Sequence, residues 1–189
     1  MTPQNGAVQY AIDPKASQLT VQAFASGLIA AVAHSPRIAI RECTGTVRFV
    51  PDTLSDAKLK MQIKTASFEV LDELRESDRR ELQRVMHEDV LESAKFPEVL
   101  FESSNLNADR LKESLYRVNV DGLLTLHGVT NQHNFFCQVA FGADTFRAHG
   151  EFTLLQTDYD IRIASIAGGT LKLQDELKFR FYAVGRQQN

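Results

Sequence analysis

The feature that most constrains the fold is one helix-period segment inside a chain that otherwise alternates. Residues 57–64, AKLKMQIK, alternate apolar and polar side chains, the period-two pattern of a half-buried strand. Over residues 74–90 the apolar side chains recur at spacings of three, four and eight, which places them on one face of a helix: Leu74, Leu82, Val85, Met86 and Val90. The proline in Phe96-Pro97 prevents the helix from continuing, and strand-like runs follow it. One helix beside a long series of strands predicts that the helix covers a barrel.

Strand-like runs occupy most of the remaining chain and are separated by turn-forming residues. The runs lie at residues 10–12, 19–24, 37–43, 45–50, 57–66, 99–104, 116–126, 131–141, 146–155 and 177–184. Asn105, Asp109 and Gly128 are among the predicted turn residues. Short separators favour antiparallel neighbours, and this number of strands favours closure. We therefore predict a mainly β protein: an antiparallel barrel of about eight strands, a main helix around residues 75–91, and a short alanine-rich helix around residues 27–33.

Composition limits the class of protein. A length of 189 residues suits a single domain, 1–189, with its core at 10–184. The balance of 21 Lys and Arg against 24 Asp and Glu argues against a nucleic-acid partner, which needs a concentrated basic face. The sequence contains no run of 18 apolar residues, so it predicts no transmembrane segment. The N-terminus lacks a secretory signal, so we expect a cytoplasmic protein, or a periplasmic one if a leader was removed.

A barrel of about eight strands has an interior that either side chains fill or one small ligand occupies. The inward faces predicted from the alternation are apolar: Leu59, Met61, Ile63, Val118, Val120, Phe135, Cys137, Val139, Phe141, Phe152, Leu154, Phe179 and Phe181. Twelve Phe and no Trp suit a dry interior, because phenylalanine has no polar group to satisfy. Both a packed core and an apolar binding cavity remain open from the residues alone.

Residue types that carry chemistry are sparse. Cys43 and Cys137 are predicted to be buried free thiols. His127 and His133 flank the turn at Gly128, but no cysteine or nearby carboxylate completes a tetrahedral metal set. No nucleophile elbow or phosphate-binding loop occurs, so we predict no catalytic residue, cofactor or metal. The charged run on the helix is expected to be a solvated face with pairs such as Glu76–Arg80.

Several short motifs, in order along the chain, resemble the YceI-like family. They are Tyr10-Ala11-Ile12-Asp13, the Phe96-Pro97 to Phe101 segment that follows the helix, the GLLTLHGVT turn at residues 122–130, and GEFTL at residues 150–154 followed by Asp158-Tyr159-Asp160-Ile161. The resemblance covers about residues 10–184.

The resemblance implies an extended lipocalin-like barrel with one helix against it and an elongated apolar cavity. It further implies a long-chain lipid partner, of polyisoprenoid or isoprenoid-quinone type, sequestered or transported without catalysis, and a homodimer. The expected ligand-binding residues are Leu59, Met61, Ile63, Leu82, Phe101, Val118, Val120, Phe135, Val139, Phe152, Leu154, Phe179 and Phe181.

Two histidines could have a polar role, and two other functions are possible for the same barrel. His34 and His127 are expected either to contact a ligand head group or to bond backbone at the barrel ends. One alternative function is a small enzyme of isomerase or hydratase type, with either histidine as acid or base. The other is a filled barrel that acts as a dimeric interaction module.

Overall fold

A computed structural model describes residues 6–26, 35–50, 54, 56–163, 165–166 and 171–188. Both the short helix predicted around residues 27–33 and His34 lie outside these residues. The described residues form twelve strands and one α-helix, with short 3-10 helices at Thr65–Ser67 and Gln156–Tyr159. In chain order the strands are β1 (Val8–Ile12), β2 (Gln18–Ser26), β3 (Arg37–Ile40), β4 (Cys43–Phe49), β5 (Lys58–Lys64), β6 (Phe68–Val70), β7 (Glu98–Lys112), β8 (Leu115–Leu126), β9 (Val129–Phe141), β10 (Thr145–Leu155), β11 (Ser165–Ile166) and β12 (Leu171–Gln187).

Eight of these strands close into an antiparallel barrel. The order around the wall is β1-β4-β5-β7-β8-β9-β10-β12, and β12 returns to β1 through the pairs Tyr10↔Gln187 and Ile12↔Gly185. Every adjacent pair in this ring is antiparallel. The prediction of a closed barrel of about eight strands is therefore confirmed.

A smaller sheet extends the wall at one end. Strand β12 is 17 residues long, and its first part pairs with β2 while its last part pairs with β1. Strands β3 and β6 continue the sheet outward from β2. Because one strand belongs to both the ring and this extension, the barrel is longer on the β12 side than a simple eight-stranded ring.

The main helix predicted around residues 75–91 is present, and it packs on the extension, whereas the sequence predicted that it covers the barrel. Helix α1 (Glu76–Val85) continues into a turn of π-helix over Met86–Val90. Its buried Met86, with Leu82 and the following Leu91, packs on the extension in a cluster that also contains Val21, Ile40, Phe68 and Val70. Burial of this face, rather than helix propensity, is what stabilises a helix of this length. The predicted solvated face is confirmed by Glu76, whose Oε1 lies 2.7 Å from Nε of Arg80.

The prediction of a turn at Asn105 and Asp109 is wrong. Both residues lie inside β7, where Asn105 pairs with Asp121 and Asp109 with Arg117 of β8. Most side chains in this half of β7 are exposed, and only Leu106 and Ala108 alternate with polar residues, which is too short an apolar period to outweigh the turn-forming residues. The neighbouring strand supplies the hydrogen bonds that overrule the turn preference of Asn and Asp.

Candidate functional site

The barrel encloses a cavity of about 280 Å³ that extends along its length. Pro36 and Leu82 border it on the side of the helix, and Phe49 and Phe146 border it at the other end. The wall is almost wholly hydrocarbon, because alternate residues of every barrel strand point inward. The volume lies at the lower edge of the roughly 300–1,000 Å³ typical of small-molecule sites.

All thirteen residues predicted to bind a ligand line this cavity: Leu59, Met61, Ile63, Leu82, Phe101, Val118, Val120, Phe135, Val139, Phe152, Leu154, Phe179 and Phe181. Their role in binding stays a prediction. The two ends of the cavity are lined by further residues that were not predicted, such as Val21, Phe68, Phe49 and Phe146. Phe68 lies in β6, which is too short to show a period, whereas Val21, Phe49 and Phe146 lie in predicted strands and their parity could have identified them.

Phenylalanine rings line the cavity without filling it, because several pack against inward-facing glycines of the adjacent strand. A β-carbon at Gly122 would lie 2.5 Å from the Phe101 ring, and one at Gly150 would lie 2.9 Å from the Phe181 ring. Phe152 and Phe179 also stack with their centroids 5.0 Å apart. Rings held against the wall in this way leave space along the barrel axis.

Among the residues that the structure describes, three with polar or charged side chains border the cavity. Arg180 directs its Nε to Glu151 Oε2 at 3.2 Å, and both side chains are largely exposed. Gln156 is 2% exposed and donates from Nε2 to the carbonyl oxygens of Gln174 and Asp175. His133 differs, because its buried Nε2 has no hydrogen-bond partner among the described residues.

His133 is one of the lining residues that could not be assigned to the cavity from its polarity. Burial lowers the pKa of its imidazole, which favours the neutral form. Its position, two before Phe135 in β9, places it on the inward face, so the parity of the strand could have identified it. An unpaired buried nitrogen on an apolar wall costs stability and calls for a functional explanation.

The two cysteines are free and buried, as predicted. Cys137 borders the cavity, and burial raises the pKa of its thiol to about 12. The pKa of the Cys43 thiol is raised for the same reason. Both groups are therefore held as unreactive thiols at neutral pH.

His127 lies at the β8–β9 turn and outside the cavity lining. It has a φ of 52°, its ring centroid is 4.2 Å from that of Phe96, and its Nε2 is 2.8 Å from Oε2 of Glu92. The bond is thus to a carboxylate instead of the backbone. A contact between His127 and a ligand head group stays a prediction. In the part of the chain that the structure describes, no group of three or more His, Cys, Asp or Glu is placed to hold a metal ion.

Comparison with known proteins identifies the family. The YceI-like domain matches residues 10–184, nearly the whole chain. The chain belongs to the YceI-like family. A search of curated protein sequences found no match.

Solved structures share the fold of this YceI-like chain. BcnA from Burkholderia cenocepacia is 19% identical, with a TM-score of 0.71 over 92% of this chain and 98% of that one. A domain from Saccharophagus degradans, described as polyisoprenoid-binding and implicated in plant cell wall breakdown, is 14% identical, with a TM-score of 0.68 over 95% and 98%. The YCEI protein of Campylobacter jejuni is 14% identical, with a TM-score of 0.60 over 83% and 87%. Similarity at these identities establishes the fold alone.

Proposed function

We propose that the barrel binds a long-chain apolar lipid, of polyisoprenoid or isoprenoid-quinone type, and sequesters or carries it without chemical change. The observation that carries the proposal is the elongated cavity of about 280 Å³ with its hydrocarbon wall. Such a wall offers little polar recognition, so affinity would depend mainly on the length and apolarity of the ligand. Family membership and the polyisoprenoid-binding description of the Saccharophagus domain support the same ligand class.

The free-energy cost of an unfilled cavity also favours a bound ligand. An unfilled cavity costs about 24 cal/mol per Å³ in core-truncation experiments, so 280 Å³ corresponds to roughly 7 kcal/mol. A typical domain has a total stability of only about 5–15 kcal/mol. Filling this space with an apolar chain would therefore recover a large fraction of the stability of the fold.

Mass spectrometry of organic extracts from protein purified out of its natural host tests this proposal. We expect one isoprenoid lipid at near-stoichiometric amount. The Met61→Lys variant places a charge in the cavity and should lose the lipid, because a buried unpaired ammonium disfavours an apolar neighbour. The control is Gln62→Lys, which adds the same charge at the adjacent position of β5 outside the cavity lining. Wild-type extracts without lipid would contradict the proposal.

Catalysis is the alternative that the sequence analysis left open. It would use His34 or His127 as acid or base. His34 is outside the described residues, and His127 is bonded to Glu92 and does not border the cavity. We propose binding without turnover, which is tested by recovering a bound isoprenoid chemically unchanged after prolonged incubation. A converted product would contradict it.

We also propose that the protein forms a homodimer, as the family resemblance implies. Outward-facing Leu100 and Leu123, 42% and 48% exposed on the adjacent strands β7 and β8, supply a surface for such contact. Light scattering should give twice the mass of one chain for the wild type, and the mass of a single chain for Leu123→Lys. Transport and a cytoplasmic location likewise remain proposals. No described helix is long and apolar enough to cross a membrane.

A further inference from the structure

The barrel wall is split between β9 and β10. These strands pair from Phe146↔Phe141 to Gly150↔Cys137, and no further pairs join their described residues. Beyond that point β9 stays paired with β8 as far as Val129, and β10 stays paired with β12 as far as Leu155. The two strands therefore part over residues 131–136 and 151–155, which we name the β9–β10 cleft.

Side chains, instead of backbone hydrogen bonds, bridge the cleft. The rings of Phe135 and Phe152 stack across it with centroids 5.3 Å apart, and the His133 ring lies 4.7 Å from that of Phe152. At its outer end Asn131 Nδ2 donates to the carbonyl oxygen of Asp158 at 2.6 Å. A wall joined by rotatable side chains opens more easily than one joined by a hydrogen-bonded ladder.

The cleft separates two spaces of opposite character. Inside is the apolar cavity, and outside is a polar groove lined by residues that include Asn131, Gln132, Thr153, Asp158, Tyr159 and Glu176. Two residues, His133 and Leu154, border both spaces. An apolar space beside a polar one matches an amphiphile whose chain and head require different surroundings.

His133 is the polar side chain at this junction. Its Nε2 is buried without a partner, and among the described residues no charged group contributes to the lowered pKa of its ring. A neutral imidazole donates from one nitrogen and accepts at the other. Small rotation of this ring toward the groove would let Nε2 bond a hydroxyl or carbonyl group.

The charge of the groove restricts the head group. Its lining contains the carboxylates of Asp158 and Glu176 and, within the described residues, no Lys or Arg. Phosphate and diphosphate groups are bound through cations, which this lining lacks. An uncharged head that forms hydrogen bonds fits the site better.

We propose that the β9–β10 cleft is the head-group site: the ligand's chain lies in the cavity and an uncharged hydroxyl, phenol or quinone group lies in the groove against His133. This inference rests on the proposed lipid-binding function. It assigns a specificity-determining role to a residue that the chain-binding wall does not need.

Equilibrium dialysis of the full chain, freed of lipid, against three C20 isoprenoid probes tests the inference: geranylgeraniol, geranylgeranyl monophosphate and the saturated hydrocarbon phytane. We expect wild type to bind the alcohol at least tenfold more tightly than the monophosphate. His133→Phe should weaken alcohol binding about 3- to 10-fold, the loss of one hydrogen bond, and leave phytane unchanged. His149→Gln, which changes an exposed histidine on the outer face of β10, is the control and should change neither.

A charge reversal provides a second, independent arm. Glu176→Lys puts a cation in the groove and should raise the affinity for the monophosphate at least tenfold relative to the alcohol. Glu113→Lys, at the exposed β7–β8 turn, makes the same change in net charge and should leave the ratio unaltered. If all three probes bind and neither groove variant changes their order, the inference is overturned while the proposed function stands. If no probe binds wild type, the proposed function itself is overturned.

Discussion

At the residue scale, inward-facing glycines decide how much of the barrel stays open. Gly122 is the clearest case, because its missing side chain leaves room for the Phe101 ring on one side and the Glu102 carbonyl on the other. The same arrangement puts the Phe181 ring over Gly150. Contact between an aromatic ring and a strand glycine also stabilises a sheet that the glycine would otherwise weaken.

We expect Gly122→Ala to destabilise the protein by about 1–3 kcal/mol, the usual cost of inserting a methyl group into a packed site. The new β-carbon would lie 2.5 Å from the Glu102 carbonyl oxygen, which belongs to the backbone and cannot rotate away. Chemical denaturation measures the change. Gly142→Ala is the control, since its nearest neighbour is the hydroxyl oxygen of Thr145 at 3.1 Å. Equal effects at the two positions would refute the argument.

His133 predicts a dependence of stability on pH. Because burial lowers its folded-state pKa below the ordinary value of 6.5, the unfolded chain takes up a proton first as the pH falls. Stability is therefore unaffected by this group above about pH 6.5 and declines below it, by at most about 1.4 kcal/mol per pH unit for one proton. Denaturation of wild type and His133→Phe between pH 5 and 8 should show a flatter profile for the variant. Parallel profiles would contradict the assignment.

At the element scale, the helix ends the sheet by imitating a strand. Gln83 of α1 donates from Nε2 to the Phe68 carbonyl at 2.6 Å and accepts from the Val70 N–H at 3.0 Å. One amide side chain thus bonds an N–H and a C=O of the edge strand β6, and His87 Nε2 lies 3.0 Å from the same Phe68 carbonyl oxygen. Edge strands with free backbone groups promote aggregation, and this contact blocks the edge.

Gln83→Ala should therefore destabilise the protein by about 1–3 kcal/mol, because it leaves the N–H of the buried residue Val70 without its partner and removes one of the two side-chain contacts of the Phe68 carbonyl oxygen. Arg80→Ala on the same helix removes an exposed ion pair with Glu76 and should cost less than Gln83→Ala, because an exposed ion pair contributes little to stability. Thermal denaturation monitored by circular dichroism compares the two. A larger loss for Arg80→Ala would contradict this account.

Most of the strands and the helix could be predicted from the sequence, and the predictions that failed did so for physical reasons. The barrel strands and the helix follow from periods of two and three to four, because each buries one face. Strand β6 is only three residues long and the outer half of β7 is mostly exposed, so the apolar period in each is too short to recognise. Alternation also placed thirteen wall residues correctly, whereas His133 was missed because polarity argued against an inward position that its parity favoured. The glycine contacts depend on strand register, which no single strand reveals.

At the scale of the whole molecule, the cavity makes stability and ligand length depend on each other. Each methylene buried contributes about 0.8 kcal/mol, so the dissociation constant should fall roughly fourfold per added methylene until the cavity is full. Beyond that length added carbons stay in water and affinity should level off. The volume of about 280 Å³ sets the position of this plateau.

A series of linear primary alcohols of increasing length, measured by thermal shift and dialysis, tests this expectation. The unfolding temperature should rise with chain length and then stop rising. Val139→Phe narrows the cavity and should move the plateau to shorter chains, while Thr44→Val on an exposed position of β4 should not. A plateau at the same length in all three proteins would show that the barrel interior does not hold the chain.

The role of β12 in the wall bears on how the protein is made. This strand pairs with β1, β2, β10 and β11, and two of those partnerships join it to strands from the opposite end of the sequence. Contacts between such distant segments form late and slowly. While residues 171–187 are still inside the ribosome, the apolar inner faces of the earlier strands are exposed to any apolar molecule nearby. Loading during translation would then need no passage through a finished wall.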